Sequence, residues 1–256
     1  MHRINAFFKN MISKNQIKYI HQFELKKFRK QEGLFIAEGH KVVGDLLKAG
    51  YTPKQIFATA AWTTSNPTVS AIEVSNEELT RLSLLQHPQQ VLGLFPIPTA
   101  QPDMSNLGSS LSILLDNVQD PGNLGTIIRI ADWFGIDTIF CSEGTVDAWN
   151  PKVVQATMGS IARVHLIYTD PQQLFDMLPT DYPVYGTFLD GKNIYTETLT
   201  PHGLIVMGNE GNGISDAVRA RISRRLLIPD FHQGDTADSL NVAIATAITC
   251  SEFRRR

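Results

Sequence analysis

The run Leu111-Ser112-Ile113-Leu114-Leu115-Asp116-Asn117-Val118-Gln119-Asp120-Pro121-Gly122-Asn123-Leu124-Gly125-Thr126-Ile127-Ile128-Arg129 decides the fold. Its first five residues form an apolar block of strand length. Asp-Pro-Gly-Asn is turn chemistry, and Leu124, Ile127, Ile128, Ala131 and Phe134 then recur at helical spacing. A strand that passes through a polar turn into a helix is the repeating unit of an α/β sheet. Such a turn sets Asn123 and Arg129 near the carboxyl end of the strand, where open α/β sheets place their ligands. Read alone, the run also fits an ordinary βα turn carrying a surface arginine.

Two later segments repeat the pattern. Leu204-Ile205-Val206-Met207 runs into Gly208-Asn209-Glu210-Gly211-Asn212-Gly213, a glycine-rich loop ahead of a helix led by Ser215, Ala217 and Val218. Glycines there let a ligand approach the backbone closely, although the G-x-G-x-x-G spacing of dinucleotide folds is missing. Glu210 lies between small residues and is expected to be buried and poorly solvated. Leu226-Leu227-Ile228-Pro229 is followed by a polar loop and then by Ser239-Leu240-Asn241-Val242-Ala243-Ile244-Ala245-Thr246-Ala247-Ile248, which predicts an apolar helix beginning at hydrogen-bonding side chains. Ser239 fits either a helix N-cap or a site residue.

The stretch from Pro96 to Ser110 is rich in Pro, Ser, Gly and Asn between two apolar strands and reads as a linker. This divides the chain into residues 1–98, a linker at 99–110, and residues 111–256. Before the cut, strands at 56–58, 71–74 and 91–95 alternate with helices near 42–49 and 77–85. After it, strands at Ile113, 138–140, 184–186, 204–207 and 226–228 alternate with helical segments. The pattern predicts a small α/β domain followed by a largely parallel sheet.

The chain has 256 residues, 43% of them hydrophobic, with a formal charge of −2, a poor credential for a nucleic-acid binder. The charge is unevenly spread, however: 12 basic against 7 acidic residues through Pro98, and 11 against 18 beyond it. Arg3, Lys9, Lys14, Lys18, Lys26, Lys27, Arg29 and Lys30 precede residue 31 with Glu24 as the sole acid. Ile17, Ile20, Leu25 and Phe28 interleave with them and predict a helix with its apolar side packed inward. Its basic side suits either solvent or a phosphate backbone. Cys141 and Cys250 have no metal-like spacing, so a reduced cytoplasmic protein without disulfides is expected. No run has the ~20 apolar residues of a membrane span, Met1 to Lys14 lacks a signal core, and the scattered histidines point to no metal site.

Together and in this order, the three segments resemble the motifs of the SpoU/TrmH family, RNA ribose 2′-O-methyltransferases of the SPOUT class. The resemblance runs from about Leu111 to Phe253. A weaker one covers Phe35 to Val43 and His87 to Gly93, similar to the small substrate-binding domain of members that act on ribosomal RNA. The resemblance implies a knotted catalytic domain with a deep trefoil knot, a homodimer with its active sites near the subunit interface, and S-adenosylmethionine as cofactor. It places Gly208, Ile228 and Leu240 in the adenosyl pocket, chiefly through backbone groups, and Arg129, Asn123, Glu210, Ser239 and Asn241 at the polar active site. RNA, ribosomal before transfer RNA, is the implied substrate. An arginine of ordinary pKa ~12.5 is neutral at pH 7 in a fraction of only about 10⁻⁵·⁵, a cost of roughly 7.5 kcal/mol as a base. Arg129 is therefore expected to position the ribose or phosphate and to stabilise a developing alkoxide, with Glu210 orienting Arg129 or Asn123, and Ser239 and Asn241 holding the loop.

One departure from the family spacing stands out. The loop Asp230 to Asp238 is about three residues longer than usual, which raises the alternative of a knotted RNA-binding module without turnover. His232 and Asp235 within it fit a solvated loop better than a proton relay. A nucleotide-dependent oxidoreductase is the third reading, and the missing dinucleotide spacing counts against it.

Overall fold

The computed structural model describes residues 12–99, 109–232 and 239–255. It divides into two compact units, Met1–Ile97 and Pro98–Arg256. The expectations that involve Arg3, Lys9, Asp235 and the middle of the linker lie outside the described residues, as do positions 233–238 of the lengthened loop.

In the first unit the elements run α1 (Lys14–His21), a 3-10 turn (Gln22–Glu24), α2 (Lys26–Glu32), β1 (Leu34–Glu38), α3 (His40–Lys48), β2 (Gln55–Ala58), α4 (Ala60–Ser65), β3 (Ile72–Glu73), α5 (Asn76–Leu82) and β4 (Val91–Pro96). The sheet order is β1-β4-β2-β3, with β4 antiparallel to both β1 and β2 and β3 parallel to β2. Ser13 and Ser75 open α1 and α5 with capping boxes, each hydroxyl accepting the N–H of a Gln or Glu three residues on while that side chain returns the bond.

The expected single basic helix is two helices. The chain tightens to a 3-10 turn at Gln22–Glu24 and extends at Leu25, which lies 54% exposed instead of packing inward. Phe23, absent from the expected apolar side, is fully buried in its place. Arg29 also departs from expectation. It is 2% exposed, and its Nη1 donates to the carbonyls of Phe23 at 2.6 Å and Glu24 at 2.8 Å. Its charge serves to close the α1–α2 corner, since those carbonyls belong to a turn that leaves them without helical partners. Lys26, Lys27 and Lys30 are exposed.

The second unit comprises β5 (Leu111–Leu115), α6 (Pro121–Trp133), β6 (Thr138–Cys141), α7 (Pro151–Ala156), a 3-10 turn (Ser160–Ala162), β7 (His165–Tyr168), α8 (Pro171–Met177), β8 (Val184–Asn193), β9 (Gly203–Met207), α9 (Asp216–Arg219), β10 (Arg224–Leu227) and α10 (Val242–Arg255). Its six strands lie in the order β10-β8-β9-β5-β6-β7, and every pair is parallel. Alternate residues serve opposite faces. Ile113, Leu115, Ile205 and Met207 pack under α6 and α10, while Leu114, Leu204 and Val206 pack with Phe175 and Val218 on the other face. Burial on both faces explains why these strands read as largely apolar blocks, interrupted in β5 by the buried Ser112. The unexpected member is β7, His-Leu-Ile-Tyr, an edge strand in which no residue is fully buried. Among the described residues no helix is long and apolar enough to cross a membrane.

Arg29→Ala is expected to lower stability by about 1.5–3 kcal/mol in urea unfolding, the range for hydrogen bonds to a charged group, because two turn carbonyls lose their donor. Replacing Lys26, Lys27 and Lys30 together with Gln should leave the unfolding midpoint nearly unchanged. Equal losses in the two variants would place Arg29 among the surface cations.

Candidate active site

Strands β5 and β9 are neighbours, so the loops leaving their carboxyl ends lie side by side. Asp116 joins them. Its N–H continues the ladder to the carbonyl of Met207 at 2.9 Å, and its buried carboxylate accepts the N–H of Ser215 at 2.7 Å. Asn117 follows in the left-handed region at φ 59°, which asparagine tolerates better than most residues. A Cβ on the facing Gly144 would come within 1.9 Å of the Asn117 side-chain oxygen, so a larger residue there would displace that amide from its bonds to Asp116 and Ser142. The chain then enters α6 with Pro121 at its first position and Asp120 as N-cap, which accepts the N–H of Asn123 at 2.8 Å.

The loop after β9 is built around Asn209. Its Oδ1 accepts the N–H groups of Gly211 and Asn212 at 2.9 and 3.0 Å, and its Nδ2 donates to the carbonyl of Asn117 at 2.7 Å. Asn209 was not among the expected site residues. Its place between an apolar strand and a glycine loop was the available signal. With this turn set, the Glu210 carboxylate accepts Asn123 Nδ2 at 3.0 Å, the N–H of Asp120 at 3.1 Å and the N–H of Gln119 at 3.2 Å. Glu210 is exposed, contrary to the expected burial, because the turn carries its side chain outward across the first loop. Partial desolvation opposes ionisation, but the hydrogen bonds from Asn123 and from the backbone outweigh it and hold the carboxyl below its ordinary value.

The third segment joins through Asn241. The helix begins at Val242, three residues later than expected, and Asn241 is its cap: Oδ1 accepts the N–H groups of Ala243 at 2.9 Å and Ile244 at 3.3 Å. Its Nδ2 donates to Asn123 Oδ1 at 2.9 Å. The amide orientations are fixed from both ends, since helix N–H groups only donate and a carboxylate only accepts. The result is one directed chain from Asn241 through Asn123 to Glu210.

Of the five polar residues expected at the site, these three are bonded together. Ser239 does not cap the helix. It is exposed, lines a cavity shared with Glu210, and makes no hydrogen bond to the described residues. Arg129 lies exposed on α6, and its guanidinium meets no partner among the described residues. Glu210 therefore orients Asn123 and not Arg129.

The cavity has a volume of about 430 Å³ and is bounded by the loop from Gly208 to Gly213, by Ile228, and by the segment from Ser239 to Val242. Gly208, Ile228 and Leu240 all line it. Its size falls within the range of ~300–1,000 Å³ common for cofactor sites. Apolar walls from Met207, Ile228 and Leu240 suit a flat purine, and the backbone of the glycine loop supplies polar groups beside them. Leu189 and Leu240 line the cavity while lying 78% and 50% exposed, and they add apolar surface to its walls. The residues present fit the adenosyl part of S-adenosylmethionine. The reason for glycine at 208 differs from the one expected. A Cβ there would lie 2.3 Å from the backbone carbon of Gly213, so Gly208 is required by the loop folding on itself before any ligand arrives.

The family described as SpoU rRNA Methylase matches residues 110–251, and the MRM3-like substrate binding domain matches residues 14–93. The chain is 30% identical over 249 residues to the 23S rRNA (guanosine(2553)-2′-O)-methyltransferase RlmP of Bacillus subtilis, covering 94% of this chain and 97% of that protein. A solved protein of the TrmH family from Porphyromonas gingivalis is 40% identical with a TM-score of 0.86, over 96% of this chain and 99% of its own. The crystal structure of an AdoMet-bound rRNA methyltransferase from Sinorhizobium meliloti is 31% identical with a TM-score of 0.83, over 93% and 94% of the two chains.

Because its folded pKa is lowered, Glu210 contributes stability in full above the ordinary carboxyl value of 4.5 and loses it as pH falls through the lower folded value. Glu210→Gln places an amide donor against groups that only donate. It is expected to cost about 1 kcal/mol at pH 7, discounted for exposure, and progressively less below pH 4.5. Urea unfolding of both proteins across pH 3 to 7 checks this, and a gap independent of pH would remove the carboxylate from the account.

Proposed function

The chain belongs to the SpoU rRNA Methylase family, and from that membership we propose that it methylates a ribose 2′-hydroxyl of ribosomal RNA. It is an RNA 2′-O-ribose methyltransferase that uses S-adenosylmethionine. The observation that carries the reading is the convergence of three separated segments, through Asn123, Glu210 and Asn241, at the loops beside one cofactor-sized cavity. Ribosomal before transfer RNA is favoured by the Bacillus subtilis relative, whose name specifies 23S rRNA. The first unit, with its match to a substrate-binding domain and its exposed Lys26, Lys27 and Lys30, supplies affinity for the phosphate backbone.

S-adenosylmethionine supplies an electrophilic methyl group on a sulfonium. The residues of this chain bind and orient the reactants. Ile228 and Leu240 would wall the adenosyl group, and the backbone of the loop beginning at Gly208 would meet its polar edges. Both ends of the Asn123 amide are committed, so Asn123 acts as a fixed spacer between loops and not as a proton carrier. Glu210 is held ionised by its donors and is correspondingly weak as a base. Arg129 is uncommitted among the described residues. Its planar donors are available to the ribose or the adjacent phosphate, and they stabilise charge developing on the 2′-oxygen, an effect worth roughly 10²–10³ in rate for a well-placed donor. Ser239, also without a hydrogen bond to the described residues, lines the cavity.

We read the second unit further as a deep trefoil knot, with α10 threaded through a loop. In support, α10 packs against α6 and its cap reaches Asn123, which draws the segment after β10 in beside the β5 crossover. We also read the protein as a cytoplasmic homodimer. Trp133 on α6 and Ile244 on α10 leave 85% and 52% of their surfaces exposed on helices that pack together, which suits burial against a second copy, and both cysteines are free.

Mass spectrometric mapping of ribose methylation in RNA from cells with and without the protein tests the function. The expected result is one 2′-O-methyl group lost from ribosomal RNA; a loss confined to transfer RNA, or no loss, overturns it. Arg129→Ala is expected to lower turnover by more than about tenfold, roughly 1.4 kcal/mol in barrier. Affinity for S-adenosylmethionine should hold, and Arg129→Lys, lacking the fork of donors, should fail similarly. Retained turnover in the alanine variant would assign the charge stabilisation to another group.

A further inference from the structure

Among the described residues, two charged side chains of opposite sign line the cavity, Glu210 and Arg219. Glu210 is engaged by three donors from the neighbouring loop. Arg219, on α9, is exposed and has no carboxylate partner among the described residues. Of the arginines that follow it, Arg221 is paired with Asp176 at 2.9 Å and Arg225 with Asp190, while Arg224 donates to the carbonyl of Thr198 at 3.4 Å and does not line the cavity.

Arg219 is nevertheless held in place. Its Cζ lies 4.7 Å from the centre of the Phe188 ring, and that ring is 9% exposed and itself lines the cavity. The Arg225 guanidinium lies 4.4 Å from the same ring centre, but its charge is offset by Asp190. The guanidinium carries five N–H donors, of which none is bonded to a carboxylate among the described residues, and a carboxylate can be bound by two parallel bonds from such a group.

We propose that Arg219 binds the carboxylate of the methionine tail of S-adenosylmethionine. This rests on the reading of the cavity as the cofactor site. At neutral pH the carboxylate is the one anionic group of that molecule, and among the described residues Arg219 is the one cation that lines the cavity. The Glu210 carboxylate repels an anion and favours the ammonium and sulfonium charges. The cavity thus offers a separated pair of charges matched to those of its ligand. An RNA phosphate is the other anion that reaches this region, and the test separates the two.

Calorimetric titration compares S-adenosylmethionine with decarboxylated S-adenosylmethionine, which differs only at the carboxylate, against the wild-type chain, Arg219→Ala and Arg219→Lys. The wild-type chain is expected to prefer the carboxylated form. Arg219→Ala should weaken that form by about tenfold or more and leave the decarboxylated form unchanged, which abolishes the preference, while Arg219→Lys should restore part of it. Equal weakening of both forms would mean a distorted cavity and would overturn the proposal. Unchanged cofactor affinity in Arg219→Ala, with weaker binding of ribosomal RNA, would also overturn it and assign the guanidinium to a phosphate. Failure of the wild-type chain to bind S-adenosylmethionine would instead refute the reading of the cavity, and this inference with it.

Discussion

The Glu210 carboxylate accepting the N–H groups of Gln119 and Asp120 is the contact on which the rest of the site depends. In a parallel sheet the loops at the carboxyl ends of adjacent strands lie together with donors that no strand satisfies. Here the turn after β5 presents two such donors and the loop after β9 answers them with an anion. Once these loops are joined, Asn123 is placed to bridge Glu210 to Asn241, and the cap of α10 is drawn to the same spot. One carboxylate thereby sets the relation of three segments that lie far apart in sequence.

The arrangement separates holding from reacting. Asn123, Glu210 and Asn241 spend their hydrogen-bonding capacity on one another and on backbone, so they are already ordered before any ligand binds. Arg129, Ser239 and Arg219 have no such engagements among the described residues. Groups left uncommitted in the free protein are the ones able to bind more tightly as charge develops or as a ligand enters, and catalysis requires that difference. The contrast with Arg29 is instructive: the same side chain, fully buried and bonded to two turn carbonyls, is a structural member of the first unit.

Much of this was legible in the sequence. Strands buried on both faces, such as β5 and β9, show as apolar blocks, and Pro121 after Asp120 marks a helix start. Features that depend on tertiary surroundings were not. Strand β7 is an edge strand without a fully buried residue and offers neither an apolar block nor a clean alternation. Arg29 sits in a basic run, and only the 3-10 turn before it explains its burial. Glu210 was expected inside because small residues flank it, yet those residues make a turn that turns it outward. Ser239 and Asn241 are both good caps, and local sequence does not choose between them. Gly208 looked like a ligand contact, whereas its lack of a side chain is demanded first by Gly213.

The directed chain from Asn241 through Asn123 to Glu210 is the central claim, and a double-mutant cycle measures it. Glu210 and Asn241 are joined through Asn123, so Glu210→Gln, Asn241→Ala and the double variant are compared by urea unfolding at pH 7. The account predicts a coupling of about 0.5 kcal/mol or more, the loss of the second residue costing less once the first is gone. Losses additive within about 0.3 kcal/mol would contradict it and leave two independent contacts in place of one network.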